Sequence, residues 1–215
     1  LIIKKNEINP FNHFFKSQNK INYLIQNSDQ IVASSPELSK KCNQISNSDK
    51  SIFISPAINL NRYIPKKNYK FNKKITLGWT GTFTSKEYLE TLRQCFVDLS
   101  LLINFKLIVI SDFSYSIDGV DVESIIWSKN TEIEDLSKID IGLYPLKKEQ
   151  WVSGKSGIKA IQYMAMGIPT IATDYGNNKN IISNMENGIL VNSEEEWKEM
   201  IIKLSKNYSL RQKLG

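Results

Sequence analysis

The sequence predicts an α/β protein: a Rossmann-like parallel sheet with helices on both faces, preceded by a small α/β piece. Three observations carry this. Runs such as 75–81 "ITLGWTG", 105–111 "FKLIVIS" and 169–173 "PTIAT" are predominantly apolar, as strands covered on both faces are. Segments with helical spacing separate them, so strand and helix alternate along the chain. Glycine or small polar residues follow several of these strands, where the chain has to turn into a helix.

The elements follow in order. Residues 12–27 carry Phe14, Phe15, Ile21, Tyr23, Leu24 and Ile25, a helical pattern, and the strand "QIVASS" comes next. "SPELSKKCNQI" reads as a helix opened by a Ser cap with Pro in its first turn, and "SIFISPAI" as a strand ending at Pro56. The stretch "NLNRYIPKKNYKFNKK" is polar, basic and without period. It sets the predicted organisation: a first piece over 1–60, a linker over 61–73, and the main domain over 74–215. In that domain, strand 75–81 leads to helix 85–100, and strand 105–111 to "VESIIWS". Helix 132–138 then precedes strand "IDIGLYPL". Residues 154–167 form a helix running into "PTIAT". A last unit takes helix 178–184 through "GILV" to helix 194–206.

The bulk numbers bound the classes. A chain of 215 residues is long enough for one sizeable core, and 41% hydrophobic with 23% charged residues is ordinary for a soluble globular protein. Lys and Arg total 28 against 22 Asp and Glu, a net charge of +6 that favours anionic partners without choosing among them. A nucleic-acid module would rest on that charge alone, so no nucleic-acid partner is expected. Cys42 and Cys95 stand far apart with no C-x-x-C, which reads as two reduced structural thiols of a cytoplasmic protein. The single histidine, His13, has no Ser, Asp or Cys context and reads as structural or exposed. No metal site is expected. No apolar run reaches the ~20 residues of a membrane span. A first residue of Leu reads as a piece of a longer chain.

Parallel α/β sheets take ligands at the carboxyl ends of their strands, and three junctions there stand out. In 78–85 "GWTGTFTS", two glycines frame a turn into a helix, and Thr82, Thr84 and Ser85 add hydroxyls. A plain βα turn with a Ser cap accounts for it equally well, and it is neither G-x-G-x-x-G nor a Walker loop. In 154–173 "GKSGIKAIQYMAMGIPTIAT", a period of ~100° per residue puts Lys155, Lys159, Gln162 and Met166 on one stripe. Ile158, Ile161, Met164 and Ala165 then occupy the sheet-facing arc, Gly167 ends the helix, and Pro169 prevents its continuation. Cations at a helix N-terminus oppose its dipole, and two ammoniums one turn apart repel. A shared diphosphate would reverse that sign, each charge-assisted hydrogen bond contributing ~1.5–3 kcal/mol. Solvated surface lysines are the alternative. Gln162, one turn on, is placed for a ribose hydroxyl. In 172–180 "ATDYGNNKN", Gly176 and the Asn pair suit a turn near the same edge, and a plain turn without a ligand is the preferred reading. There is no Asp-x-Asp pair.

The run "DIGLYPL…W…GKSGIKAIQYMAMGIPTIAT…NGILV…EEW…LR…LG", continued upstream by "GWTGTFTSKEYLETL" and "VASSPELSKK", resembles the C-terminal domain of GT-B glycosyltransferases of the "glycosyl transferases group 1" family. The resemblance covers nearly all of 28–215. It implies that 1–60 is the end of an acceptor-side domain and 74–215 the domain that holds a nucleotide-sugar. The implied enzyme moves a sugar from a nucleoside-diphosphate donor to a glycan or lipid-linked acceptor, with retention, without a metal or other cofactor, in polysaccharide biosynthesis. Its expected place is the cytoplasm or the inner membrane face, held there peripherally. Gly81 and Thr82 resemble the loop whose amides approach the diphosphate. Lys155, Ser156, Gly157, Ile158 and Lys159 match the loop and helix start that hold the diphosphate and sugar. Gln162 occupies the place of a ribose-binding glutamate, and Trp127 and Ser128 open the base-binding edge at 127–134.

There are departures from that pattern. A pair of glutamates eight positions apart reads Gly154 and Gln162 here, Thr82 replaces an arginine with Lys86 as an approximate stand-in, and Asn180 stands where an acidic residue is common. Lys155 and Lys159 would supply the missing positive charge. No catalytic residue is nominated. The expectation is that these residues bind nucleotide and do not transfer sugar alone. Two other readings stay open: a catalytically silent nucleotide-binding or scaffold member, which Gly154 favours, and a sugar-nucleotide epimerase, which would need an acid–base pair.

Overall fold

Strands buried on both faces need helices on both faces, and the greater part of this protein meets that need with six parallel strands. The computed structural model describes residues 18–69 and 74–215. They form two units. The smaller takes the described residues up to Pro56 together with Lys148–Ser156, and the larger takes Ala57–Lys147 and Gly157–Gly215. Sequence reading put 148–156 in the larger domain, whereas its contacts group it with the smaller.

In the smaller unit the order is α1 (Gln18–Asn27), β1 (Ile31–Ala33), α2 (Pro36–Ser46) and β2 (Ser51–Phe53). β1 and β2 pair in parallel, with Ile31 opposite Ser51. α2 begins as expected: Ser35 Oγ accepts from Leu38 N at 3.2 Å, Pro36 fills the first turn, and Asn47 ends it in the left-handed region at φ 52°. Ser39 Oγ donates to the Ser51 carbonyl at 3.0 Å and ties α2 to β2. His13 and residues 12–17 of the first predicted helix lie outside the described residues.

The larger unit contains β3 (Ile75–Thr80), β4 (Phe105–Ser111), β5 (Val122–Ile126), β6 (Ile141–Tyr144), β7 (Thr170–Thr173) and β8 (Ile189–Val191). They lie in the order β5-β4-β3-β6-β7-β8, every neighbouring pair parallel. Alternate residues face opposite ways. Leu77, Leu107 and Val109 enter one core with Cys95, Phe96 and Leu99 of α4 (Arg93–Ser100) and with Trp197, Ile201 and Leu204 of α8 (Glu194–Lys206). Ile108 and Ile110 enter the other with Leu136 of α5 (Glu132–Ser137) and Tyr163 of α6 (Ile158–Ala165).

On the α6 side the helices come so close that the strands need glycine. A Cβ on Gly142 would lie 2.6 Å from the Tyr163 ring, and one on Gly78 would lie 2.3 Å from Ile139. The β3–β6 ladder covers only Leu77–Ile141 and Gly78–Gly142. Just past it, Tyr163 Oη accepts from Thr80 N at 2.9 Å and donates to the Gly78 carbonyl at 3.4 Å. The buried residues of α6 are therefore Ala160 and Tyr163. The predicted sheet-facing arc of Ile158, Ile161, Met164 and Ala165 is only half-buried, because Tyr163 sets the helix's rotation.

Other helices depart locally from the periodic reading. Over 83–100 the chain passes through 3₁₀ turns at Phe83–Ser85 and Glu90–Leu92, on either side of α3 (Lys86–Leu89), before α4. Thr91 Oγ1 donates back to the Tyr88 carbonyl at 2.6 Å and competes with the α ladder there. α7 (Asn178–Ile181) stops early: Asn187 Nδ2 takes the Ile181 carbonyl at 3.2 Å, and its Oδ1 takes Ser183 N at 2.8 Å. A further helix, α9 (Tyr208–Leu214), opens where Asn207 Oδ1 accepts from Leu210 N at 2.9 Å. Among the described residues no helix is long and apolar enough to cross a membrane.

The described part of the predicted linker, 61–69, packs on the larger unit. Tyr63 is buried in the α6-side core. Lys66 N donates to the Met166 carbonyl at 2.8 Å, and Lys66 Nζ pairs with the Asp140 carboxylate. Arg211, itself buried, donates from Nη2 to the Tyr69 carbonyl and from Nη1 to the carbonyls of Leu204 and Ser205. Composition did not show this because the partners, main-chain carbonyls and the Asp140 carboxylate among them, lie far along the chain.

Two outcomes follow. Tyr163→Phe leaves the Thr80 amide without its acceptor, which costs about 1–3 kcal/mol. The urea midpoint should fall with an unchanged m-value, and an unmoved midpoint would show that the hydroxyl is dispensable. Burial also pushes the Cys95 thiol and the Tyr115 and Tyr144 phenols up to about 12, from ordinary values of 9.0 and 10.0, and raises Tyr163 as well. Groups whose folded pKa is raised contribute fully below the unfolded value and lose that contribution as pH rises through the folded one. Stability should therefore decline from about pH 9 towards pH 12 in a series of urea titrations. A flat profile would contradict the burial of these groups.

Candidate functional site

β3 and β6 adjoin, yet the chain runs outward from β3 through β4 and β5 and outward from β6 through β7 and β8. The crevice beyond their carboxyl ends is where open α/β sheets take ligands. Gly81 and Thr82 stand there, after β3. A Cβ on Gly81 would come within 2.1 Å of the Trp79 ring, so glycine is required for packing. The loop amides already donate internally: Gly81 N to the Ile110 carbonyl at 3.0 Å, Thr82 N to Ser85 Oγ at 3.0 Å, and Phe83 N to Asp112 Oδ1 at 2.6 Å. What the loop turns outward is hydroxyl, with Thr82 Oγ1 and Thr84 Oγ1 paired at 2.9 Å.

Opposite this loop, α6 opens at Gly157, whose φ of 79° is left-handed and whose side caps nothing. Its carbonyl accepts from Ala160 N at 3.0 Å and Ile161 N at 3.3 Å. The Ile158 amide, ahead of these, has no carbonyl within the helix to accept it. Lys159 Nζ reaches back to the Thr80 carbonyl at 2.5 Å and sits 5.0 Å from the centre of the Trp79 ring. A carbonyl dipole and an aromatic face thus hold the ammonium at the end of β3.

The four-residue stripe needs correction. Lys155 lies before the helix in extended backbone (φ −65°, ψ 138°), its Nζ 5.2 Å from the Trp151 ring centre, and Lys155 and Ser156 group with the smaller unit. Met166 is buried at the helix's C-cap. Gly157 is the cause, since its left-handed turn resets the chain direction between the two lysines. Gly154 has open space where a Cβ would go, and its carbonyl accepts from Ser35 Oγ at 3.0 Å.

One turn beyond Lys159, Gln162 Nε2 donates to Tyr63 Oη at 3.0 Å and to Glu132 Oε1 at 3.4 Å. Trp127 Nε1 donates to the same Glu132 oxygen at 3.2 Å. The candidates for ribose and base, Gln162 and Trp127, are thereby brought together through Glu132, a carboxylate within the predicted 127–134 edge that was not named on its own. Trp127 stays 47% exposed, and Ser128 turns the chain into α5, its carbonyl accepting from Glu132 N at 2.9 Å. Glu132 was not singled out within the 127–134 edge, and Tyr63 fell in the predicted linker. Among the described residues no three His, Cys, Asp or Glu side chains are grouped as metal ligands.

Strand order, helices on both faces and the crevice at the order reversal define a Rossmann-like α/β domain of GT-B type. Residues 75–207, more than half the chain, match the family described as Glycosyl transferases group 1, and the chain belongs to that family. Its fold is similar to the C-terminal domain of LpcC, a group 1 family protein from Francisella tularensis, at 22% identity, covering 74% of this chain and 92% of that one with a TM-score of 0.57. It is similar to sucrose-phosphate synthase from Thermosynechococcus elongatus at 16% identity, 94% and 58% coverage and TM-score 0.69. Anabaena HepE, in complex with UDP and glucose, matches at 11% identity, 92% and 59% coverage and TM-score 0.66. At such identities the likeness is one of fold, and the chain spans less than two thirds of the latter two proteins. No curated protein sequence matches this chain.

Gly157→Ala should destabilise the larger unit by about 1–2 kcal/mol from the left-handed φ alone. A further cost arises because the new Cβ would lie 2.3 Å from Ile181 Cδ1. Chemical denaturation measures it, and a neutral result would show that the α6 entry can take another conformation.

Proposed function

We propose that the larger unit binds the nucleoside diphosphate of an activated sugar and is the donor half of a glycosyltransferase. The observation that carries this is the Lys159 ammonium, fixed beside an uncapped helix start at the sheet's switch point. Family membership and the UDP held by HepE on the same fold support it.

In this reading the amides of Gly157 and Ile158 and the ammonium of Lys159 take phosphate oxygens. Thr82 offers its hydroxyl, and Gly81 lets the β3 turn pack close. Gln162 meets the ribose, and Trp127 with Ser128 borders the base. When the glycosyl C1–O bond to the phosphate breaks, positive charge builds on the sugar and negative charge on the departing diphosphate. Fixed donors at that end stabilise the negative charge without reorganising. Transfer is proposed to retain configuration and need no metal, the leaving phosphate taking the acceptor's proton. The acceptor would be a glycan or lipid-linked glycan at a cytoplasmic membrane face, which a net charge of +6 suits. A silent nucleotide binder is the second reading, favoured by Gly154, which brings no carboxylate where the family carries a glutamate. Sugar-nucleotide turnover by the protein together with its acceptor-side domain separates the two.

Calorimetric titration with UDP, GDP and dTDP and their nucleosides tests the donor reading. Lys159→Ala should weaken diphosphate binding about tenfold or more and leave nucleoside binding nearly unchanged. Equal losses for both would remove Lys159 from the phosphate, and failure of the native protein to bind any of these ligands would end the reading.

A further inference from the structure

Beside Gln162 stands a carboxylate that the assignment above leaves unused. A carboxylate at neutral pH only accepts, so Glu132 Oε1, facing the Gln162 amide at 3.4 Å, requires the amide's nitrogen to point inward. The flipped amide would set oxygen against oxygen. Both N–H groups of Gln162 are then committed, one to Tyr63 Oη and one to Glu132. Trp127 Nε1 takes the same Glu132 oxygen, so two donors fix one side of the carboxylate. Its other oxygen, Oε2, carries no hydrogen bond among the described residues, and the residue is half-buried.

We infer that Glu132 is the ribose reader of this site and that Gln162 positions it. The inference rests on the reading that the larger unit binds a nucleoside diphosphate. A vicinal diol presents two O–H donors, and a charged acceptor binds them more strongly than a carboxamide does. The half-exposed Trp127 ring is tied to the same carboxylate, so a surface for the base and an acceptor for the adjoining ribose move as one piece. An acceptor role for Glu132 makes the site select ribose over deoxyribose, because removing a hydroxyl would leave a desolvated carboxylate oxygen unpaired.

Calorimetry with UDP, GDP and ADP and the 2′-deoxy counterpart of whichever binds most tightly decides it. The native protein should prefer the ribonucleotide by about tenfold or more. Glu132→Gln should bring that preference close to one by weakening the ribonucleotide while leaving the deoxy form within about twofold. A melting curve checks folding. Should Glu132→Gln not fold, Glu132→Asp, which withdraws the carboxylate by one methylene, is read by the same ratio. If the native protein binds a nucleoside diphosphate but shows no ribose preference, or if the variant keeps that preference or weakens both forms equally, the inference falls and the donor reading stands. If the native protein binds none of them, both fall together.

Discussion

The phenol of Tyr163 is the contact on which the rest of the larger unit depends. β3 and β6 share only two residue pairs, and beyond them the Thr80 amide has to find an acceptor away from the ladder. Tyr163 supplies it from α6 and returns its own proton to the Gly78 carbonyl. The ring fits only because Gly142 presents no side chain beneath it, as Ile139 fits only because Gly78 presents none. Once Tyr163 is seated, the rotation and height of α6 on the sheet are set. Lys159, one turn earlier, must then point at the end of β3, and Gln162, the neighbouring residue, must point towards α5.

A lysine in the first turn of a helix works against the helix dipole by about 0.3–1 kcal/mol. Here the Thr80 carbonyl and the face of Trp79 offset that cost, so the ammonium is held rather than left to wave in water. The same neighbourhood keeps its loop amides occupied. The β3 turn therefore offers hydroxyls and close packing, and the α6 start offers amides and charge.

The polar segment 57–69 closes the other side of the same helix layer. Tyr63 reaches Gln162 from within the core, Lys66 pairs with Asp140, and Asp140 Oδ2 accepts from Thr76 N at 3.0 Å at the start of β3. Arg211 completes the attachment. Burial lowers its pKa, and the guanidinium spreads its charge over three main-chain carbonyls. A stretch that looks like solvent-facing linker is thus part of the wall behind the candidate site.

Period and turn chemistry were enough to determine the strands, most of the helices, the helix stop at Gly167 and the Ser35 cap, since each depends on residues a few positions apart. They also placed Gly81, Gly157, Lys159 and Gln162 in or after the loops that follow strands β3 and β6. What only the tertiary structure decided were pairings across long stretches of chain. Tyr163 meets Thr80, Lys159 meets the same strand end, and Gln162, Tyr63 and the Trp127–Glu132 stretch converge from three separate segments. The helical stripe failed at Lys155 because one left-handed glycine turns the chain between two lysines that a simple wheel lines up. Local patterns encode how each piece of backbone folds, whereas a site is made where distant pieces meet, and that depends on which side chains the packed sheet leaves room for.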